Sequence, residues 1–163
     1  MYLRHRLSGR AAGLARPVDA VDRVTASELP RALLAYGTCL VVLVVLDLVW
    51  LRYASDAIFR PAVGEMLTDK PNFVAAGLFY VFFAAGLVYF AVLPGLRGAG
   101  LAAVLLNGAF LGFLAYMTFD LTSLAILKSW SVKVSVIDIA WGSFASALAA
   151  GAAGFAASLV ANQ

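Results

Sequence analysis

The chain has one histidine and one cysteine among its 163 residues, and each scarcity excludes chemistry. His5 stands in the N-terminal tail, so no histidine-based metal site, haem ligation or Ser-His nucleophile can be built from the apolar body of the sequence. Cys39 lies inside an apolar run without a CxxC neighbour. Alone it closes no intrachain disulfide and says nothing about redox compartment. Charged residues make up only 13% of the chain, and no DxxD-type pair of acids lies within the apolar runs to mark a carboxylate metal site or an acid and base pair. The expectation is a protein without metal or cofactor and without a catalytic step; activity on a lipid or prenyl substrate has no motif to support it. The net charge of +3 comes from cations scattered on both sides of the apolar segments, so no nucleic-acid footprint is formed.

What the chain has in excess is apolar residues, 63% of the total, gathered into long runs. Leu29 to Leu51, Phe73 to Leu93, Leu101 to Leu127 and Val134 to Val160 each match or exceed the roughly 20 residues that carry a helix across about 30 Å of hydrocarbon. No ten-residue alternation of apolar and polar positions suggests a barrel, and backbone amides in lipid must bond internally, so these runs predict helices. The expected fold is all-α, a four-helix integral membrane bundle (spans about 29–51, 73–93, 101–127 and 134–160) preceded by a basic tail over residues 1–26.

Ser27, Glu28, Leu29 and Pro30 read as a helix start, with Ser27 as cap and proline in the first turn. Between Tyr53 and Pro71, the apolar Ile58, Phe59, Val63, Met66 and Leu67 recur among Asp56, Arg60, Glu65 and Asp69, a pattern for an interfacial amphipathic helix between the first two spans. Pro71 and Asn72 open span two, and Pro94, Gly95, Gly98 and Gly100 form the return to span three. Arg4, Arg6, Arg10, Arg16, Arg23, Arg31 and Arg97 fall on the N-terminal side, against Arg52, Arg60, Lys70, Lys128 and Lys133 on the other. That bias predicts both termini inside. The tail lacks the apolar core of a secretory signal. It reads as a basic tail on anionic headgroups of a bacterial inner membrane, or as a targeting segment for the mitochondrial inner membrane.

Three aspartates, Asp47, Asp120 and Asp138, interrupt or end the apolar runs, and burying such groups is costly. Span topology brings all three toward the same membrane face. Tyr116 and Asp120 share a helix face, Thr118 and Thr122 share another pair of positions four apart, Asn107 returns to nearly the angle of Thr118, and Trp141 can cover or bond Asp138. One reading is a set of salt bridges with Arg52, Lys128 and Lys133 that locks the bundle ends. The other is a carboxylate site that exchanges protons or cations. Gly108 and Gly112 in span three, and Gly142, Ser146, Ala150 and Gly154 in span four, form small-residue faces for close helix approach, within the bundle or, alternatively, at a homodimer seam.

The strings LDLVWL (Leu46 to Leu51), KPNFVAAGLFY (Lys70 to Tyr80), AYMTFDLTSLAILKSW (Ala115 to Trp130) and DIAWG (Asp138 to Gly142) contain all three aspartates. In order and spacing the sequence from about residue 31 to 160 resembles the predicted bacterial membrane proteins classed as domain-of-unknown-function family 2177. The resemblance implies a small four-helix membrane protein and brings no activity, substrate or catalytic residue with it. The expected role is contact with other membrane polypeptides, as an accessory or structural subunit, with the lipid bilayer as medium and lipids as candidate ligands. The alternative is a small proton- or cation-coupled transporter or lipid-handling protein that uses the three aspartates.

Overall fold

The computed structural model describes residues 17–68 and 70–161, so most of the basic tail, His5 included, lies outside the described residues. All regular structure among the described residues is helical: α1 (Pro17–Ala54), α2 (Arg60–Val63), α3 (Phe73–Leu87), α4 (Gly100–Ile126) and α5 (Val132–Ala161). Three stretches are long and apolar enough to cross a membrane: Glu28–Val63 with 36 residues, Phe73–Ile126 with 54 and Val132–Val160 with 29.

The helix expected to start at Ser27 starts earlier. α1 runs through Ser27 and holds Pro30 in its interior, since no glycine interrupts the chain between Pro17 and Gly37. Pro30 removes one backbone donor from the ladder without ending it. After Ala54 the chain does not leave to form a separate helix. A π-helical turn, Ser55–Phe59, carries directly into α2 and a 3-10 turn, Gly64–Met66. Of the apolar residues in this segment Val63 is buried, Ile58 and Phe59 are half-buried, and Met66 and Leu67 stay exposed. Asn72 starts α3, its side-chain oxygen accepting from the backbone N–H groups of Val74 and Ala75 at 3.1 Å each.

The 54-residue stretch is broken at Gly98 and Gly100, whose φ angles of +117° and +80° suit glycine and strain any other residue. On either side of the break the chain returns against itself: Val88 and Val92 share one core with Val104, and a Cβ on Gly95 would overlap Val104. Glu28 and Arg97 meet at 3.0 Å beside this turn, tying the early part of α1 to it.

α5 lies at the centre, packed against both α4 and α1. The interior is built from small residues, among them Ala35, Cys39, Ala84, Ala91, Ala149, Ala153 and Ala157. Large ones point outward: Phe73 is 81% exposed, Phe82 71% and Ile126 79%. Water would not tolerate such an inversion, whereas lipid does, because between helices in a bilayer close packing rather than burial of apolar area provides the attraction. Gly108 packs on Ser146, Ala147 and Ala150, and Gly112 sits on the backbone of Gly142 and the side chain of Ser146. A Cβ on Gly142 would enter the ring of Tyr116, while Gly154 leaves ordinary contact room for Val104. The small-residue faces of α4 and α5 thus meet each other.

Gly112→Ala, forced against the Gly142 carbonyl, is expected to destabilise the bundle by about 1–3 kcal/mol. Gly77→Ala, with open space around it, should be neutral or stabilising by up to about 1 kcal/mol. Loss of helicity in titrations from mild detergent into SDS measures both; equal behaviour of the two variants would contradict the close approach of α4 and α5.

Candidate functional site

Buried positions recur every four residues along three helices, and each series includes one aspartate. In α1 the series is Ala35, Cys39, Leu43 and Asp47; in α4, Val104, Gly108, Gly112, the half-buried Tyr116 and Asp120; in α5, Val134, Asp138, Gly142, Ser146, Ala150 and Gly154. Residues four apart stack on one helix face, so helix geometry alone turns each carboxylate inward.

Asp47 is 4% exposed and is held from two other helices. The indole Nε1 of Trp141 on α5 donates to its Oδ1 at 2.9 Å, and the Tyr116 hydroxyl on α4 donates to its Oδ2 at 3.4 Å. Tyr80 of α3 stands beside the same carboxylate. Trp141 also stacks on Trp50, one turn beyond Asp47 on α1, with centroids 4.6 Å apart and planes 9° from parallel. Trp141 therefore serves Asp47, not Asp138, which the spacing within α5 had suggested as its partner.

Asp138 is 9% exposed and makes no ion pair among the described residues; the Trp50 indole, whose buried Nε1 has no other partner, stands beside it. Asp138 lies within electrostatic range of both Asp47 and Asp120. Asp120 is fully buried and both its carboxylate oxygens lack a partner. Ser135 and Trp130 lie beside it, but they are engaged with each other, Trp130 Nε1 donating to Ser135 Oγ at 3.1 Å.

Asp47 and Asp138 face a cavity of about 490 Å³. Its wall is otherwise largely aromatic, with Trp50, Phe79, Tyr80, Tyr116, Phe119 and Trp130; Ala115 forms part of the lining, and Phe59 and Leu67 reach it from the segment after α1. Trp130 meets Phe119 edge to face at 5.5 Å. The volume falls in the range of sites for small organic ligands, and an apolar wall with a few convergent polar groups is the usual make-up of such sites.

The expected salt bridges are not formed. Arg52, Lys128 and Lys133 are exposed, and among the described residues no ion pair joins any of them to Asp47, Asp120 or Asp138. Thr118, Thr122 and Asn107 are also absent from the site: all three are exposed. Thr118 and Thr122 lie two residues from Asp120, about 200° around the helix. Their hydroxyls bond back to their own helix, Thr118 to the Leu114 carbonyl at 2.6 Å, Thr122 to those of Thr118 and Phe119. Trp50, Tyr80, Trp130 and Ser135 are members that spacing did not single out; the only signal for Trp50 was its place one turn after an intramembrane acid.

Residues 32–155, which include all three aspartates and the whole cavity wall, match the family described as predicted membrane protein (DUF2177). The chain belongs to this family. No curated protein and no solved structure matches it. As a DUF2177 member with long apolar helices, it is an integral membrane protein. Every residue of the carboxylate and tryptophan site lies within the stretch that defines the family.

Asp47→Ala leaves the Trp141 N–H and the Tyr116 hydroxyl unpaired and is expected to cost about 1–3 kcal/mol of stability. Asp120→Ala removes a buried carboxyl that bonds to nothing, and it should be neutral within about 1 kcal/mol or stabilising. Thermal unfolding in detergent followed by circular dichroism separates the two, and an Asp120 variant that unfolds earlier than the Asp47 variant would contradict this assignment.

Proposed function

We propose that this protein is a four-crossing membrane protein that holds a small amphipathic molecule in the cavity between Asp47 and Asp138. The four crossings follow from dividing the 54-residue stretch at Gly98 and Gly100 into two antiparallel helices. An even number of crossings would put both ends of the chain on one side, and the arginines of the tail and of the Gly98 turn favour the cytoplasm of a bacterium or the mitochondrial matrix as that side.

The observation that carries the reading is the cavity itself, about 490 Å³ with two buried carboxylates in a wall of aromatic rings. The cavity is open on one side, so a molecule from the surrounding lipid can enter it and meet both carboxylates and rings. Unpaired buried carboxyls are a cost that a purely structural role does not repay. The role is binding without a chemical step, and the bilayer is the reservoir from which the ligand comes.

The alternative reading, an accessory subunit, drew on small-residue faces, an amphipathic loop and the basic tail. The faces are taken up by contacts between α4 and α5, and the loop contributes Phe59 and Leu67 to the cavity wall. The faces and the loop therefore have uses within the chain.

Native mass spectrometry after extraction in mild detergent is expected to detect a small molecule bound one to one. Ala115→Phe, which fills the cavity from the α4 side, should abolish that adduct while leaving helicity intact. A bare chain released from stoichiometric partner polypeptides would contradict the proposal and favour the subunit reading.

A further inference from the structure

Resting on the ligand-binding reading above, we propose that the cavity takes an amphipathic organic cation, an amine or quaternary ammonium on an apolar body, with Asp138 as its counter-charge. The two carboxylates in the wall are not equivalent. Asp47 already accepts from Trp141 and Tyr116, so its orientation is fixed by the protein. Asp138 is 9% exposed and faces the cavity, with the uncharged Trp50 indole N–H beside it and no cationic partner among the described residues. A carboxylate withdrawn from water in this way is stabilised only by a partner, and Arg52, Lys128 and Lys133 all lie exposed without an ion pair to it.

The remaining wall fits the same class of ligand. Trp50, Phe79, Phe119 and Trp130 present aromatic rings, whose faces attract a desolvated cation and whose area accepts its apolar body. Two carboxylates within range of each other repel an anionic headgroup, so a phosphate-bearing lipid is disfavoured. A neutral ligand without a hydrogen-bond donor would gain from the rings and nothing from Asp138.

The chain contains three tryptophans, and Trp50 and Trp130 line the cavity while Trp141 stacks on Trp50, so intrinsic fluorescence reports on occupancy directly. The full chain in dodecyl maltoside, whose headgroup is uncharged, is titrated with benzyltrimethylammonium, with its uncharged carbon isostere neopentylbenzene, and with benzylsulfonate. The expected result is a saturable change with the cation at an affinity about tenfold above that of the neutral isostere, and none with the anion. Asp138→Asn should reduce the advantage of the cation to less than about threefold and leave binding of the isostere unchanged. Equal affinity for cation and isostere in the unaltered protein overturns the cation assignment and leaves ligand binding standing. A saturable change with none of the three overturns both. The comparison of probes is made on the unaltered chain, so it decides the matter even where Asp138→Asn does not fold.

Discussion

The missing side chains at Gly108, Gly112 and Gly142 are the constraint on which the rest of this structure depends. They let α4 and α5 approach until atoms of one helix rest on the backbone of the other. In lipid, where burial of apolar surface offers no preference for protein over solvent, that proximity is the main source of attraction between helices. It also positions chemistry. Tyr116 lies across Gly142, and from there its hydroxyl reaches Asp47 on a third helix. Any side chain at position 142 would displace the ring, and with it one of the two donors that hold the Asp47 carboxylate.

Close packing at one end and open space at the other belong to the same design. Along α5 the buried residues after Gly142 are mostly alanine, serine and glycine, and the space left among the helices there is a smaller cleft of about 240 Å³ beside Gly154 and Val104. Toward the start of α5 the inward positions carry Asp138 and Ser135, and the neighbouring helices supply Trp50, Phe79, Tyr80 and Phe119. Rings of this size, propped by the stack of Trp50 on Trp141, cannot interdigitate as alanines do, and a cavity remains between them. The hydrogen bond from Trp141 to Asp47 fixes one wall, so the space is held by specific contacts.

Much of this was legible in the residues. Length and apolar content determine helices and their approximate limits, because a membrane allows few other solutions. The inward direction of Asp120 and Asp138 follows from their four-residue spacing with Gly108 and Gly112 and with Gly142 and Ser146. Two features were not legible, for a physical reason. Helical periodicity assigns a residue to a face but does not say which helix that face meets, so Trp141 was matched with Asp138 beside it in sequence and not with Asp47, 94 residues away. Polarity alone drew Asn107, Thr118 and Thr122 inward, although a threonine hydroxyl can satisfy itself on its own helix and face lipid. The start of α1 was misplaced because a proline in the first turn and a proline tolerated mid-helix look alike in sequence.

The central claim is that Asp47 joins three helices at the edge of a preserved cavity. A structure of the full chain in lipid nanodiscs, at a resolution that shows side chains, tests it most directly. The account predicts Trp141 and Tyr116 in contact with the Asp47 carboxylate, and density for a small molecule among Trp50, Phe119, Trp130 and Asp138. Rings collapsed into the space with Asp138 turned out toward Lys128 or Lys133 would contradict it.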